Sequence, residues 1–452
     1  MDTKRDMDIG AYAASVEKNT QIDPALYSRY GVKRGLRNED GTGVLVGLTQ
    51  IGDVHGYIVD EKEKVPVEGR LRYRGIEVKD LVRGFQEENR FGFEETVYLL
   101  LFGRLPNKEE LDAFCTLLGE NRSLPGTFTE DMILNIPSNN IMNKLARSVL
   151  VSYSYDKDPE NSSIENVLRQ SIELIARFPT FISYGYQAKQ HYYNKKTLYI
   201  HSPDPEASTA ENILRLTRPD ASYTKLEAEL LDLNLVLHAE HGGGNNSAFA
   251  IHVVSSSDTD TYSAVASAVG ALKGSKHGGA NIKVREMMAN IKEHVSDWEN
   301  EDEVASYIEQ ILRKEAYDRK GLVYGMGHAV YTLSDPRAVL LKERAKDLAS
   351  EKGYEMEFDL YERIERLTPE IFRRVKNSDK DIAPNVDFYS GFVYHMLDIP
   401  DDLFTPIFAA ARISGWAAHR IEELINGGRI IRPAYKHIRK NVLSYVPLKD
   451  RK

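Results

Sequence analysis

The sequence predicts a mainly α-helical protein with a small β-hairpin or meander near its N-terminus, and three observations predict it. At 452 residues the chain exceeds one small hydrophobic core and suits two or three domain-sized units. Apolar residues recur at helical spacing through most of the sequence beyond Gly75. Short, glycine-bounded, partly alternating segments are confined to residues 43–75.

Taken in order, the first 40 residues are polar and mixed, as for a helix and loop that pack late or against a partner. VLVGLTQIG and GRLRYRG supply the strands, with Leu71 and Tyr73 on one face. FEETVYLLLFGRLP carries Phe93, Val97, Leu100 and Leu101 on one stripe and stops at Gly103 and Pro106. NKEELDAFCTLLGENRSLP repeats the pattern with Leu111, Phe114, Leu117 and Leu118, and Pro125 closes it. EDEVASYIEQILRK sets Val304, Tyr307, Ile308, Ile311 and Leu312 on one helical face. TYSAVASAVGALKG and LFTPIFAAARISGWAAHRIEELI are apolar or small nearly all round, which predicts buried helices whose small residues permit close approach. DRKG at 318–321 and KNSDKDIAP at 376–384 are loop signals that bracket an inserted or mobile subdomain.

Composition removes several function classes. No run reaches the roughly 18 apolar residues a membrane-spanning helix needs. The first twenty residues mix Asp2, Asp6, Asp8 and Glu17 among basic ones and hold no apolar run, so neither a secretory signal nor a transit peptide is expected, and a cytoplasmic location is. The formal charge is −9 with no dense basic block, which argues against a nucleic-acid partner. The single cysteine, Cys115, rules out an internal disulfide and a cysteine-based zinc site; its apolar neighbours suit a small buried side chain.

Chemistry-bearing residues cluster in the C-terminal half. LHAEHGGGNNSAF holds His238 and His241 three apart, a spacing open to a metal pair, a structural histidine or a polar substrate contact; the HExxH pattern is absent. Its glycines lack the Gly-Lys-Ser/Thr of a phosphate loop, and GMGHAV lacks both the last glycine and the βαβ frame of a dinucleotide fingerprint. In KHGGAN, His277 precedes Ile282, Val284, Met287, Met288, Ile291 and Val295 at helical spacing, so it sits at or just before a helix N-terminus. The positive end of that dipole opposes protonation, and a neutral imidazole can donate a hydrogen bond to a carbonyl. Glycine-assisted turn geometry is the plainer explanation of the same residues. In PNVDFYSGFVYHML, Asp387 reads first as a helix N-cap and otherwise as a base. Arg337, Arg412 and Arg432 are single arginines in glycine-, proline- or apolar-marked surroundings, suited to carboxylate capture or to structural ion pairs.

Together, HxxHGGGNxSAF, HGGAN, GxGHAVYxxxDPR, PNVDFYSG and the late RIIRPAY, in this order and register, resemble the citrate synthase family over most of the chain. The resemblance implies a two-domain helical fold, usually homodimeric. It divides the chain into a large domain, 1–277 with 387–452, and a small mobile CoA-binding domain, 278–386. It implies an acyltransferase of the tricarboxylic acid cycle that condenses acetyl-CoA with oxaloacetate and water to citrate and CoA. The CoA thioester is then a co-substrate, with no permanently bound cofactor and no metal. By resemblance Asp387 removes the methyl proton, His277 stabilises the enol or enolate, and His328 polarises the ketone. His241, Arg337 and Arg412 match oxaloacetate contacts, Arg432 one supplied across the dimer, and Phe408 a residue packed beside the substrate. Gly325, Met326 and Gly327 match the loop that holds adenine, and Arg34 a phosphate contact. Thr332 stands where the family often has a basic residue, which leaves Lys342 or Arg344 to compensate. Two rivals remain: a 2-methylcitrate synthase using propionyl-CoA, and a catalytically silent paralogue that binds citrate or oxaloacetate.

Overall fold

The computed structural model describes residues 9–38, 41–60, 63–439 and 444–451. The chain divides into two compact units, Met1–Leu48 and Thr49–Lys452. The first holds the Ile9–Thr20 and Ala25–Arg29 helices and a single 3-10 turn, Arg34–Leu36, with its described residues largely exposed.

The second unit is helical apart from one antiparallel sheet of β1 (Gly52–Asp60), β2 (Glu63–Tyr73) and β3 (Ile76–Glu77) in the order β1-β2-β3. Gly52 lies opposite Tyr73 and Val54 opposite Leu71. Leu71 and Tyr73 are both fully buried, as their shared face predicted. The first strand falls later than expected. Residues 45–50 lie outside any strand, with Leu45 and Leu48 highly exposed, and β1 begins at Gly52, where the chain meets β2. Alternation marked a β-compatible segment but carried no information about its partner.

Helix boundaries follow local chemistry. The Phe93–Phe102 helix ends at Gly103, whose φ of 77° permits a left-handed cap and a hydrogen bond from its N–H to the Leu99 carbonyl. The Lys108–Glu120 helix begins with a reciprocal capping box between Asn107 and Glu110. On the Glu301–Leu312 helix all five residues of the expected stripe are buried. Cys115 is half-buried, and burial pushes its thiol up to about 12, so it is no nucleophile.

The core is organised round the Phe404–Ile425 helix, buried continuously from Phe404 to Ile421. It packs against the Ile164–Tyr192, Lys225–His238, Asn246–Ser255 and Thr261–Leu272 helices. Gly415 makes the closest approach: a methyl group there would lie 2.6 Å from the Ala239 carbonyl oxygen and also strike the Glu240 carboxylate. This contact sets the helix face that carries Arg412 against the segment that carries His241. Among the described residues no helix is long and apolar enough to cross a membrane.

Candidate active site

The Lys225–His238 helix stops at His238, and the chain then turns through Gly242, whose N–H donates to Glu240 Oε1 at 2.5 Å. His238 and His241 therefore do not share a helical face. His238 stacks on Phe408 with ring centroids 4.3 Å apart, whereas His241 packs against His328 at 5.3 Å and Tyr331 at 5.6 Å. The two rings diverge, and the metal-pair reading of this spacing fails. Both histidines are buried and held well below the usual imidazole range, chiefly by burial and then by the charges of Arg337 and neighbouring cations. Neither ring nitrogen of His238, nor Nε2 of His241, has a protein partner.

His277 lies in the turns that lead to the Ala280–His294 helix, as its spacing predicted. The loop is pinned where Thr405 Oγ1 donates to the Gly278 carbonyl at 2.9 Å. Burial first, and then the charge of Arg412, lowers the His277 imidazole to about 4. Its neutrality thus has a cause other than the helix dipole invoked from sequence: the helix starts three residues later, and desolvation dominates. His277 Nε2 meets Ser247 Oγ at 3.1 Å, and Trp416 Nε1 donates to the same hydroxyl at 3.1 Å.

The Gly325–Gly327 loop and the segment before Asp387 form a paired unit. Gly327 N–H donates to the Ala383 carbonyl at 2.7 Å, and Asn385 N–H donates to the Gly325 carbonyl at 2.8 Å. Gly325 and Gly327 have φ of 80° and 90°, and a methyl group on Gly325 would lie 2.8 Å from Phe388. This pairing holds His328 close to Asp387 although 59 positions separate them in sequence. The Val330 and Tyr331 N–H groups donate to His328 Nδ1 at 3.1 and 3.2 Å, so a neutral ring carries its proton on Nε2.

Asp387 is not the cap its position suggested. Asn385 caps the Val386–Met396 helix, accepting from the Asp387 N–H at 3.0 Å, and leaves the Asp387 carboxylate available for other work. Burial raises that carboxyl to about 6, against the opposing charges of Arg337 and Arg412 and with help from Asp335.

The two buried arginines differ. Arg337 is held by Asp335 through Nε at 3.0 Å and Nη2 at 2.8 Å, and this carboxylate keeps it above the usual guanidinium range despite burial. Asp335 Oδ2 also accepts the Val386 N–H at 3.2 Å. Arg412 donates through Nε to the His238 carbonyl at 2.6 Å and stacks over Phe408 at 4.6 Å, while its Nη1 has no partner. Burial lowers Arg412 to about 10, with Glu240 opposing. A buried guanidinium with an unpaired N–H is a seat for an anion.

His241, His277, His328, Arg337, Asp387, Phe408 and Arg412 thus come together. Arg432 lies exposed on the segment after the Phe404–Ile425 helix, where Ile431 N–H donates to Ser256 Oγ at 3.1 Å. Arg34 belongs to the N-terminal unit, stacked on Tyr27 at 4.4 Å. Lys342 is paired with Glu362 and Glu365, and Arg344 with Glu229 and Asp347, so neither stands free to replace the charge missing at Thr332. Sequence reasoning assigned no role to Ser247, Asp335 or Asn385; each sits inside a motif it used, beside the residue it supports.

Residues 39–434 match the family model described as "Citrate synthase, C-terminal domain". The chain belongs to the citrate synthase family. It is 33% identical to the citrate synthase of Haloferax volcanii over 93% of this chain and 99% of that one. It is 31% identical to 2-methylcitrate synthase 1 of Corynebacterium glutamicum over 93% and 98%. Among solved structures it superposes on a Thermoplasma acidophilum citrate synthase, determined as a ternary complex with carboxymethyl coenzyme A and oxaloacetate, with a TM-score of 0.75 at 25% identity, covering 93% of this chain and 99% of that one. The citrate synthase reading of the sequence, an acyltransferase with a mainly helical fold, stands.

Proposed function

We propose that the chain condenses acetyl-CoA with oxaloacetate and water to citrate and CoA at the site walled by His241, His277, His328, Arg337, Asp387 and Arg412. One observation carries the reading: a carboxylate raised to about 6, an imidazole lowered to about 4 and a buried guanidinium with a free N–H share one site. Asp387, ionised at neutral pH, takes a proton from the methyl carbon of the thioester. His277, its ring braced by Ser247 Oγ at 3.1 Å from Nε2, hydrogen-bonds the thioester oxygen as charge develops there. His328 Nε2–H polarises the ketone oxygen of oxaloacetate. The thioester α-carbon bonds to the ketone carbon, the new alkoxide takes the His328 proton, and water then cleaves the citryl thioester to release CoA.

Arg412 offers its unpaired Nη1 to one carboxylate of the dianion, and Arg337, already anchored by Asp335, the remainder of its fork to the other. His241 and His238 complete the lining, with Phe408 packed on His238. The CoA end rests on the Gly325–Gly327 loop, supported by a cleft of about 570 Å³ beside it that Leu333, Arg363, Arg366 and Pro384 help to line. The same reading makes 278–386 a small domain that closes over bound oxaloacetate. In a cytoplasmic homodimer, Arg432 and Arg34 would then serve the partner's site, and the exposure of both supports this.

Acyl preference is tested by supplying oxaloacetate with acetyl-CoA or propionyl-CoA and following free CoA. A higher kcat/KM with acetyl-CoA is expected. A reversal makes the chain a 2-methylcitrate synthase, and no turnover with either makes it a binding paralogue. One methyl group is worth only about 1–3 kcal/mol in an apolar pocket, so both rates will be measurable.

A further inference from the structure

A second cluster of ionisable side chains lies outside the site just described. His252 comes from the Asn246–Ser255 helix, His419, Glu422 and Glu423 from the Phe404–Ile425 helix, and Glu240 from the segment before His241. Glu423 Oε2 accepts from His252 Nδ1 at 2.9 Å, and Glu240 Oε1 accepts from His419 Nε2 at 3.0 Å. A carboxylate only accepts, so each draws the ring proton to its own side. The remaining nitrogens, His252 Nε2 and His419 Nδ1, are then both lone pairs, and they face each other 3.2 Å apart.

Something positive has to stand between them. A shared proton would serve these two nitrogens alone. It would leave Glu422 Oε2, 3.9 Å from His419 Nδ1, buried without a hydrogen-bond partner. A metal ion about 2.0–2.1 Å from each nitrogen would subtend an angle of about 100°, close to tetrahedral, and would accept Glu422 Oε2 as a third ligand. Three ligand atoms, one from each of His252, His419 and Glu422, already lie within 4.8 Å of one another. The other oxygen of Glu422 is fixed by the Gln50 N–H at 2.7 Å, which aims Oε2.

Two more features point the same way. Metal-ligating histidines typically give their second N–H to a carboxylate, and here both histidines do so. The three carboxylates are also short of cations. Arg74 and Arg412 act on them through space: Arg74 gives Nε and Nη2 to the Leu100 carbonyl, and Arg412 gives its Nε to the His238 carbonyl. The His252 and Glu422 side chains are 13% and 12% exposed, which leaves a route for the ion and a water as fourth ligand.

We propose that His252, His419 and Glu422 bind one divalent transition-metal ion of the Zn²⁺ class, which ties two core helices together and fixes Glu240 beside His241. The role is structural, and no step of the condensation passes through the ion.

The test uses the full chain stripped with chelator, then titrated with Zn²⁺ or with Co²⁺ as a spectroscopic probe. One equivalent per chain is expected, with the visible absorption of four-coordinate Co²⁺ and a Tm rise of about 3 °C at a hundredfold excess over Kd. His252→Gln and Glu422→Gln should each abolish the absorption and the Tm rise. No stoichiometric uptake by the wild-type chain overturns the proposal, as does uptake unchanged in both variants. Should the variants not fold, X-ray absorption of the Zn²⁺-loaded wild type decides: two imidazole nitrogens per ion support the site, and any other nitrogen count overturns it.

Discussion

Replacing Asp387 with asparagine should abolish turnover and, at the same time, make the protein more stable at alkaline pH. The carboxyl rises from 3.8 to about 6 because burial strips water from its charged form. A rise of about two units corresponds to about 3 kcal/mol of native-state cost once the group is ionised. The sign is that of a raised acid. The native state binds the proton more tightly than the unfolded chain, so stability falls as pH climbs from about 4 to about 6 and the full cost persists above. Asparagine keeps the shape and removes the charge. At about 2.1 cal/mol/K per residue, a chain of 452 residues gains about 3 °C in Tm from that relief at pH 8 and nothing near pH 4. Differential scanning calorimetry of both forms between pH 4 and pH 8 measures the gain, and release of CoA measures turnover. A difference in Tm that does not vary with pH would refute the buried-charge reasoning. Retained turnover would refute the assignment of Asp387 as base.

Arg412→Leu should raise the KM for oxaloacetate by about 10- to 150-fold, the worth of one charge-assisted hydrogen bond, and should weaken the thermal shift that oxaloacetate induces in proportion. The kcat/KM profile should fall on its acid side as Asp387 takes up a proton near pH 6; His277, lowered to about 4, stays neutral throughout and adds no second inflection above pH 5. Gly415→Ala should cost about 1–3 kcal/mol by urea unfolding, because the added methyl group meets the Ala239 carbonyl at 2.6 Å, and should impair oxaloacetate binding through displacement of the His241 segment.

The sequence made those features legible that are written locally. The Glu301–Leu312 helix announces itself because five apolar residues fall on one face, and the Phe404–Ile425 helix because small and apolar residues surround it. Glycines beside His277 and His328 mark places where the backbone must turn. Features that depend on a distant partner were not legible. Alternation placed a strand at 44–52, but pairing with Tyr73 and Leu71 begins it at Gly52. Asp387 resembled a cap because the residue two places earlier, Asn385, competes for the same duty, and only the backbone geometry separates them. The neutrality of His277 was deduced from a dipole when burial and Arg412, 135 positions away, supply it. The His252, His419 and Glu240 cluster joins two stretches, with His252 and His419 167 positions apart, and no spacing rule reads across such a gap.

Asp335 hydrogen-bonds Arg337 with one edge and, through Oδ2, the first N–H of the helix that presents Asp387. A single carboxylate therefore serves as the common footing for the arm proposed to grip one reactant and the group proposed to activate the other. Natural or laboratory selection cannot retune one without disturbing the other. Variants that adapt to a bulkier thioester are accordingly expected to change elsewhere on the wall, and this aspartate becomes a hinge point of evolvability rather than of motion.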